Sequence, residues 1–175
     1  MSATLRLIEE KDMPLLFEWR FDERHYPYFY TFPNVSYEEY CAWMAKNNAD
    51  PSQRNFVLEQ SGVLIGTIAL INIVENKEAE IGRVLIPLGR GLDGRGFGKE
   101  LLSHVIDYGF ETLSLKRLYL EVIDDNERAI AFYKKKGFSF VKECSEKIYK
   151  DGMIQGRKVA EPSYITGHVY ELKKS

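Results

Sequence analysis

The sequence has few of the residues that bind metals or form disulfides. It contains two cysteines, Cys41 and Cys144, and three histidines in 175 residues. The cysteines are isolated and no CxxC or HExxH pattern is present, so neither a disulfide framework nor a zinc site is predicted. Unpaired thiols are typical of a reducing compartment. A cytoplasmic location is therefore expected, and no metal is expected among the cofactors.

Long apolar runs and a strong net charge are also missing. No apolar run approaches the roughly 20 residues that a membrane-spanning helix needs. Lys and Arg number 24 against 26 Asp and Glu, for a formal net charge of −2. A basic surface of the kind that binds nucleic acid is not indicated. Neither a membrane nor a nucleic acid is expected as a partner.

Apolar side chains are abundant enough for one core. The chain is 45% hydrophobic and 13% aromatic, which suits a single domain over residues 1–175. "TLRLIEE" predicts a strand, and "DMPLLFEWR" a helix with Asp12 as N-cap and Pro14 in its first turn. Ser36 and Glu39 form a capping-box pattern for a second helix to about Asn47. The aromatic stretch 21–34 is predicted to be a loop.

The middle of the chain predicts strands first and then alternating helices and strands. "NFVLEQ" and "VLIGTIALINI" flank a Ser61-Gly62 turn as a hairpin, and "AEIGRVLIP" follows as a third strand. A helix, the strand "RLYLEV", the helix "ERAIAFYKKK" and the strands "FSFVKECSEKIY" and "SYITGHVYEL" complete the order. This pattern predicts an α/β fold with a mixed sheet. An exposed last strand would allow pairing across a homodimer.

Three glycines precede the first of these helices, in "GLDGRGFGKELL" (91–102). Gly94, Gly96 and Gly98 would let an anion approach the unpaired backbone N–H groups of a helix start, which attracts phosphate. Arg90, Arg95 and Lys99 could add contacts to phosphates. The glycine spacing alone is equally consistent with a tight turn that binds nothing.

Two other phosphate motifs compete for this loop. A Walker motif requires Ser or Thr after Gly98-Lys99, where this chain has Glu100. The G-x-G-x-x-G spacing of Gly89, Gly91 and Gly94 does match a dinucleotide fingerprint, which leaves an NAD-dependent oxidoreductase as an alternative. Against it, the predicted helix opens after Gly96, and antiparallel strands precede the loop.

A second informative stretch is "LYLEVIDDNERAIAFYKKKGF". Asn126 is a good N-cap and Gly137 a natural residue after the helix end. Glu121 lies within an apolar strand, and Tyr133 brings a hydroxyl to the packing face of the helix. Glu121 could be a solvent-facing strand residue, and Tyr133 could be a core aromatic.

Together these motifs resemble the GNAT superfamily of acyl-CoA-dependent N-acyltransferases. The matching features are "WR" at Trp19-Arg20, "LIGTIAL", "EIGRVLI", the glycine loop and the stretch from Asn126 to "GF". The run from Asp93 to Gly98 is similar to the family's Q/R-x-x-G-x-G/A motif, with Asp93 where Gln or Arg is usual. The resemblance implies a mixed, mostly antiparallel central sheet of about seven strands with helices on both faces.

The resemblance also implies acetyl-CoA as cosubstrate and a set of residues that bind it. The pantetheine arm would follow a strand that splays from its neighbour, and backbone amides of the glycine loop would hold the pyrophosphate. The implied cofactor-binding residues are Val84, Leu85, Ile86, Gly94, Arg95, Gly96, Phe97, Gly98, Lys99 and Asn126. Tyr133 falls on the position of the general acid, and Glu121 on a position that serves as base in some branches.

The expected acceptor is a small-molecule or peptide amine. Its pocket is predicted to include Trp19, Arg20, Tyr28 and Tyr30, although packing explains Trp19 and Arg20 equally well. The layout resembles the branch of ribosomal-protein N-terminal and amino-sugar nucleotide N-acetyltransferases. A nucleotide-linked amino sugar is therefore the predicted acceptor, and a protein N-terminus the alternative. A module that binds acyl-CoA without turnover is a further alternative.

Overall fold

A computed structural model describes residues 2–31, 33–92 and 94–175. The helices are α1 (Met13–Arg20), α2 (Tyr37–Ala49), α3 (Phe97–Asp107) and α4 (Glu127–Lys135). The strands are β1 (Thr4–Leu7), β2 (Arg54–Gln60), β3 (Val63–Val74), β4 (Glu78–Leu85), β5 (Arg117–Ile123), β6 (Ser139–Glu143), β7 (Ile148–Lys150), β8 (Met153–Ile154), β9 (Arg157–Lys158), β10 (Ser163–Ile165) and β11 (Gly167–Lys173).

Seven strands form the central sheet, in the order β1-β2-β3-β4-β5-β11-β6. Every neighbouring pair is antiparallel except β4 and β5, which are parallel. The other strands form two small sheets, β7 with β10 and β8 with β9. The predicted mixed, mostly antiparallel sheet of about seven strands is confirmed. The antiparallel β3–β4 pair before the glycine loop is incompatible with the parallel repeat of a dinucleotide fold.

Helices cover both faces of the sheet. On one face, apolar residues of α3 and α4 pack against β2 to β5 and β11, and Leu101, Leu118 and Leu120 are among those buried there. On the other face, Leu16 of α1 and Met44 of α2 pack over Val57 of β2. Side chains alternate between faces along a strand, so β2 sends Phe56 and Leu58 into the first core and Val57 into the second.

The segment that precedes α1 departs from the predicted cap. Asp12 precedes the helix, but its carboxylate does not cap α1. It accepts two hydrogen bonds of 2.8 Å from the Arg6 guanidinium and one of 2.8 Å from the Glu9 backbone N–H. These contacts hold the pKa of Asp12 below its ordinary value, chiefly through the hydrogen bonds from Arg6. The Ser36–Glu39 capping box at α2 is confirmed, with both reciprocal bonds present.

The aromatic stretch after α1 is more ordered than the predicted loop. Residues Glu23–Tyr28 form a 3₁₀ helix whose N-cap is Asp22. His25 is buried at its centre, where Nε2 accepts a 3.0 Å hydrogen bond from the Leu88 backbone N–H. Nδ1 therefore carries the proton and donates to the Trp19 carbonyl at 2.7 Å. This neutral imidazole ties the aromatic stretch to the loop after β4, a long-range contact that local propensity does not encode.

The state of His25 predicts a loss of stability in acid. Burial lowers its pKa below the ordinary value of about 6.5, so the folded state takes up the proton later than the unfolded chain does. The contribution to the free energy of unfolding is complete above about pH 6.5 and shrinks as the pH falls towards the folded pKa. In urea unfolding, His25→Gln should lose less of its free energy of unfolding between about pH 7 and 5 than the wild type does. Equal slopes in His25→Gln and the wild type would contradict this account.

The prediction that the last strand is exposed at a sheet edge is wrong. "SYITGHVYEL" divides into β10 and β11, and β11 lies between β5 and β6 with a ladder on each side. Its backbone groups are thus used inside the sheet, and the outer strands are β1 and β6. The strand predicted over "FSFVKECSEKIY" likewise divides, into β6 and β7. None of the helices in the described ranges has the length and apolar character needed to cross a bilayer.

Candidate functional site

The end of β4 changes the face that its side chains present. Ala79 and Ile81 point into the core beneath α3 and α4, whereas Leu85 points into the opposite core beneath α1 and α2. The switch arises because β4 has two residues, Arg83 and Val84, between Gly82 and Leu85, where β3 has one, Ile68, between their partners Ala69 and Thr67. Such a bulge reverses the alternation of the residues that follow it.

Arg83 forms this bulge and anchors it. Its φ is 54°, in the left-handed region that residues other than glycine seldom adopt. The guanidinium donates to the side-chain oxygens of Gln53 at 2.9 Å and Asn55 at 2.5 Å, and stacks 4.6 Å from the centre of the Trp43 ring. Burial lowers the pKa of Arg83 below its ordinary value. The bulge is therefore held by β2 and α2 rather than by its own strand.

Beyond the bulge, β4 and β5 separate. Their parallel ladder runs from the Glu78–Arg117 pair to the Ile81–Leu120 pair, although both strands continue for several residues. The ladder does not include residues 82–85, so the backbone groups of this stretch that face β5 remain available to a ligand. The predicted stretch Val84, Leu85 and Ile86 begins there, with Leu85 buried and the other two half-buried. The geometry matches the splayed strands that the sequence motifs imply.

The glycine loop leads directly from this split to α3. Gly94 and Gly96 have φ values of 73° and 82°, and Gly96 is the residue before the first turn. An added Cβ at Gly94, Gly96 or Gly98 would meet no atom of the described residues within 4 Å, so the loop has open space above its backbone. No side chain of the described residues caps α3, whereas Ser36 and Asn126 cap α2 and α4. Uncapped amides with open space above them fit a pyrophosphate.

Cations surround this helix start, but not all those predicted. Lys99 is exposed in the first turn of α3, and the Arg95 guanidinium lies 5.0 Å from the centre of the Phe97 ring. Arg90, by contrast, forms an ion pair with Glu18 of α1. Lys136 lies nearby, and partial desolvation and the charges of Lys99 and Lys135 lower its pKa. Positive charges that repel one another in the free protein would be neutralised by a polyphosphate. Asp93 lies outside the described residues.

α4 holds the next two predicted residues. Asn126 is its N-cap, as predicted, and accepts a 3.2 Å hydrogen bond from the Ala129 backbone N–H. Tyr133 lies seven residues further along the chain, is 8% exposed, and packs edge-on against Phe138 with 5.8 Å between ring centres. Burial raises the pKa of Tyr133 to about 12. Its hydroxyl is thus protonated at every pH at which the protein would work.

Glu121 faces the opposite side of β5 from the α3–α4 core. It is exposed between the buried residues Leu120 and Val122, so the sheet alternation places it outward. Glu80 of β4 lies on the same face of the sheet as Glu121, because it pairs with Tyr119, two residues before Glu121 on β5. Burial raises the pKa of Glu80, and the charge of Glu121 adds to that rise. The Tyr30 hydroxyl and the Cys144 thiol also lie beside Glu121, where all three groups meet above Gly167 of β11.

The predicted acceptor residues separate into two groups. Trp19 is 2% exposed and packs in the core beneath α1, and the Arg20 guanidinium donates to the Thr31 carbonyl at 2.6 Å and stacks on Phe29. Burial lowers the pKa of Arg20 to about 10. For these two residues the geometry shows packing. Tyr28 is 51% exposed and lines a cleft, and Tyr30 lies beside Glu121.

This cleft has a volume of about 480 Å³ and lies between the 3₁₀ helix, the start of α4 and the C-terminal segment. Its charged lining residues are Asp125, Glu127, Arg128, Lys150 and Glu161. Lys150 is 5% exposed, and burial lowers its pKa to about 8. Its ammonium donates to the Tyr26 carbonyl and lies 4.1 Å from the centre of that ring. Three carboxylates against two cations make the cleft mildly acidic.

Sequence reasoning missed five residues of this region. They are Glu80, Arg83, Lys136, Lys150 and Gly167. A charged residue inside the apolar run "EIGRVLI" was the available signal for Arg83, and the run "KKK" for Lys136. The sequence around Lys150 and Gly167 carries no local signal, because their surroundings come from distant segments. One further cluster, Asp124, Glu143 and His168, brings its ligand atoms within 4.8 Å of one another at the surface, but nothing else there indicates an ion.

Comparisons with known proteins agree with this geometry. The Acetyltransferase (GNAT) family model matches residues 13–138. The chain is 30% identical over 155 residues to spermidine N(1)-acetyltransferase of Escherichia coli K12, covering 88% of this chain and 82% of that protein. It is 26% identical over 142 residues to acetyltransferase PseH of Campylobacter jejuni, covering 81% and 86%.

A solved structure shows the same likeness in three dimensions. Spermidine N-acetyltransferase from Vibrio cholerae, in complex with CoA and spermine, superposes with a TM-score of 0.81 at 26% identity, covering 98% of this chain and 95% of that one. The split strands, the open glycine loop and the cations beside α3 fit the coenzyme that this structure contains. The chain belongs to the GNAT family and is an N-acetyltransferase that uses acetyl-CoA as its cosubstrate.

Proposed function

We propose that this protein acetylates a primary amino group of a small cationic amine, of the polyamine type, by direct attack on acetyl-CoA. The observation that carries the proposal is the pair of carboxylates, Glu80 and Glu121, on one sheet face beside the point where β4 and β5 separate. Neighbouring carboxylates favour a cationic ligand, because a positive charge between them offsets the repulsion that makes it costly to keep both ionised. The spermidine N-acetyltransferases among the relatives support the same acceptor class.

Glu121 is proposed to take a proton from the acceptor. Acetyl-CoA supplies an activated thioester, and an amine reacts with a thioester only when its nitrogen is neutral. Since a free alkylamine is mostly protonated at neutral pH, a carboxylate must accept a proton directly or through water. Glu121 is exposed on β5 and so can reach solvent afterwards.

Tyr133 is proposed to protonate the departing thiolate. The phenol is protonated in the free protein, and burial that raises its pKa to about 12 would also raise that of a thiol released beside it. The two groups therefore stay close enough in pKa for proton transfer. A backbone N–H of β4 near Leu85, on the side no longer paired with β5, is proposed to donate to the developing oxyanion.

The coenzyme is proposed to bind along the glycine loop and β4. Val84, Leu85 and Ile86 would contact the pantetheine arm, together with Asn126. The residues proposed to hold the pyrophosphate and nearby phosphates are Gly94, Arg95, Gly96, Phe97, Gly98 and Lys99. Lys136 would add to this charge.

A nucleotide-linked amino sugar is the second candidate acceptor. Arg128 and Lys150 both line the 480 Å³ cleft and could face a diphosphate. The three carboxylates of the cleft argue for the cationic amine over this candidate.

A panel of acceptors tests the proposal. Thiol release from acetyl-CoA is measured with spermidine, spermine, a nucleotide-linked 4-amino sugar, single amino acids and ribosomal-protein N-terminal peptides. Polyamines should give the highest kcat/KM. Turnover confined to the amino sugar would replace the first candidate by the second, and turnover confined to peptides would indicate a protein N-terminus. CoA binding without turnover in the whole panel would contradict both candidates.

Removing one carboxylate should weaken polyamine binding. Glu80→Gln is expected to raise the KM for spermidine by roughly 3- to 10-fold, since an attraction to a partly desolvated charge is lost. The KM for acetyl-CoA should not change. Glu75→Gln, in the exposed turn between β3 and β4, provides the control. An unchanged KM for spermidine in Glu80→Gln would place the acceptor elsewhere.

A further inference from the structure

The hydroxyl of Tyr30 is buried, and no residue that the structure describes meets it in full hydrogen-bond geometry. Glu121 is its neighbouring acceptor, and its charge and a side-chain hydrogen bond to it add to the effect of burial in raising the pKa of Tyr30. An unsatisfied buried hydroxyl costs free energy, and in native proteins such a group calls for an explanation. Tyr30 lies two residues beyond the 3₁₀ helix, in the aromatic stretch that His25 ties to the loop after β4.

The missing side chain of Gly167 makes room for this hydroxyl. A Cβ at Gly167 would collide with the Tyr30 oxygen and lie 2.9 Å from Glu121 Oε1 and 3.0 Å from Cys144 Sγ. β11 is fixed at this point, because Gly167 pairs with Ile123 and its carbonyl accepts a 2.7 Å hydrogen bond from the Cys144 backbone N–H. The φ of Gly167 is not positive, so a glycine is needed here because there is no room for a side chain, and not because of the backbone conformation. Three segments distant in sequence thus bring one phenol, one thiol and one carboxylate together.

The phenol and the thiol can only donate to the carboxylate. Burial raises the pKa of Tyr30 above its ordinary value and that of Cys144 to about 11, and the charge of Glu121 and hydrogen bonding to it add to both rises. Both groups are therefore neutral at physiological pH and do not compete for a proton. A thiol is a weak donor, whereas a phenol is a strong one, so Tyr30 is the group able to orient the carboxylate.

We propose that Tyr30 is a positioning residue for Glu121: its hydroxyl donates to one carboxylate oxygen and leaves the other facing the acceptor amine, in a space that Gly167 keeps open. This inference rests on the proposed role of Glu121 as the group that takes the amine proton. Tyr30 then acts through Glu121 and takes no proton itself.

Tyr30→Phe tests the functional half. The variant should lower kcat by roughly 10- to 100-fold, the range expected for a lost hydrogen bond to a charged group, with the KM for acetyl-CoA unchanged. In a Glu121→Gln background the same substitution should cost little more, because its target is gone. Tyr164→Phe, at an exposed tyrosine of β10, is the control. Wild-type kcat in Tyr30→Phe, or an equally large loss in the Glu121→Gln background, would overturn the inference.

Gly167→Ala tests the geometric half without any acceptor. Urea unfolding should show a clear destabilisation by Gly167→Ala in the wild-type background and a much smaller one in a Tyr30→Ala background. Equal destabilisation in both backgrounds would overturn the inference. If this coupling is found but the wild type turns over no amine, the proposed function has failed and the cluster stands. If amines are acetylated and Tyr30→Phe is normal, the positioning role alone has failed.

Discussion

Tyr133→Phe is expected to lower kcat for acetyl transfer by roughly 10²- to 10⁴-fold, the usual contribution of a general acid. The substitution removes one oxygen from a side chain that packs mainly through its ring, against Phe132 and Phe138. The KM for acetyl-CoA and the midpoint of urea unfolding should therefore stay close to the wild-type values. A loss confined to kcat locates the missing interaction in the transition state.

Steady-state kinetics with a reactive acceptor measures this effect. Tyr108→Phe is the matched control, since Tyr108 packs edge-on against Phe56 in the same core and lies outside the proposed site. Full activity in Tyr133→Phe, with normal folding, would mean that water or another donor protonates the thiolate. Glu121→Gln, assayed in parallel, would show whether removal of the amine proton and protonation of the thiolate depend on different residues.

Arg83→Met is expected to reduce the free energy of unfolding by about 2–3 kcal/mol and to weaken CoA binding. The change leaves the side-chain oxygens of Gln53 and Asn55 without their donor, and each unsatisfied buried acceptor costs about 1–3 kcal/mol. Because the Arg83 side chain is only half-buried, the combined cost of the two unsatisfied acceptors should lie near the lower end of that range. Because Arg83 holds the bulge that redirects Leu85 and its neighbours, loosening it should also disturb the coenzyme side of β4.

Urea unfolding and calorimetric titration with CoA measure the two effects. Arg54→Met on β2 is the matched control, because its guanidinium donates to backbone carbonyls of nearby residues, at 3.0 Å to Pro51 and 2.6 Å to Gln53, and to no side chain among the described residues. It should leave CoA binding unchanged. Wild-type stability in Arg83→Met would show that the strand ladder alone holds the bulge. Unchanged CoA affinity would show that the bulge does not influence coenzyme binding.

Local signals predicted the elements of the fold well. The Ser36–Glu39 capping box, the Ser61-Gly62 turn and the N-cap Asn126 each act within a few residues, and all three were confirmed. Errors arose where a distant segment decides the outcome. The carboxylate of Asp12 accepts hydrogen bonds from Arg6 instead of capping α1, and His25 connects the 3₁₀ helix after α1 to the loop after β4 by a hydrogen bond.

By itself, the sequence determined the element order, the glycine loop and the positions of Glu121 and Tyr133, because periodicity, caps and motifs depend on neighbouring residues. Only the tertiary structure decided that β11 lies inside the sheet, that Arg83 fixes the β4 bulge from β2, and that Tyr30 meets Glu121 above Gly167. These contacts join residues far apart in the chain. Their geometry depends on packing between strands and helices, and such packing leaves no repeating pattern in the sequence.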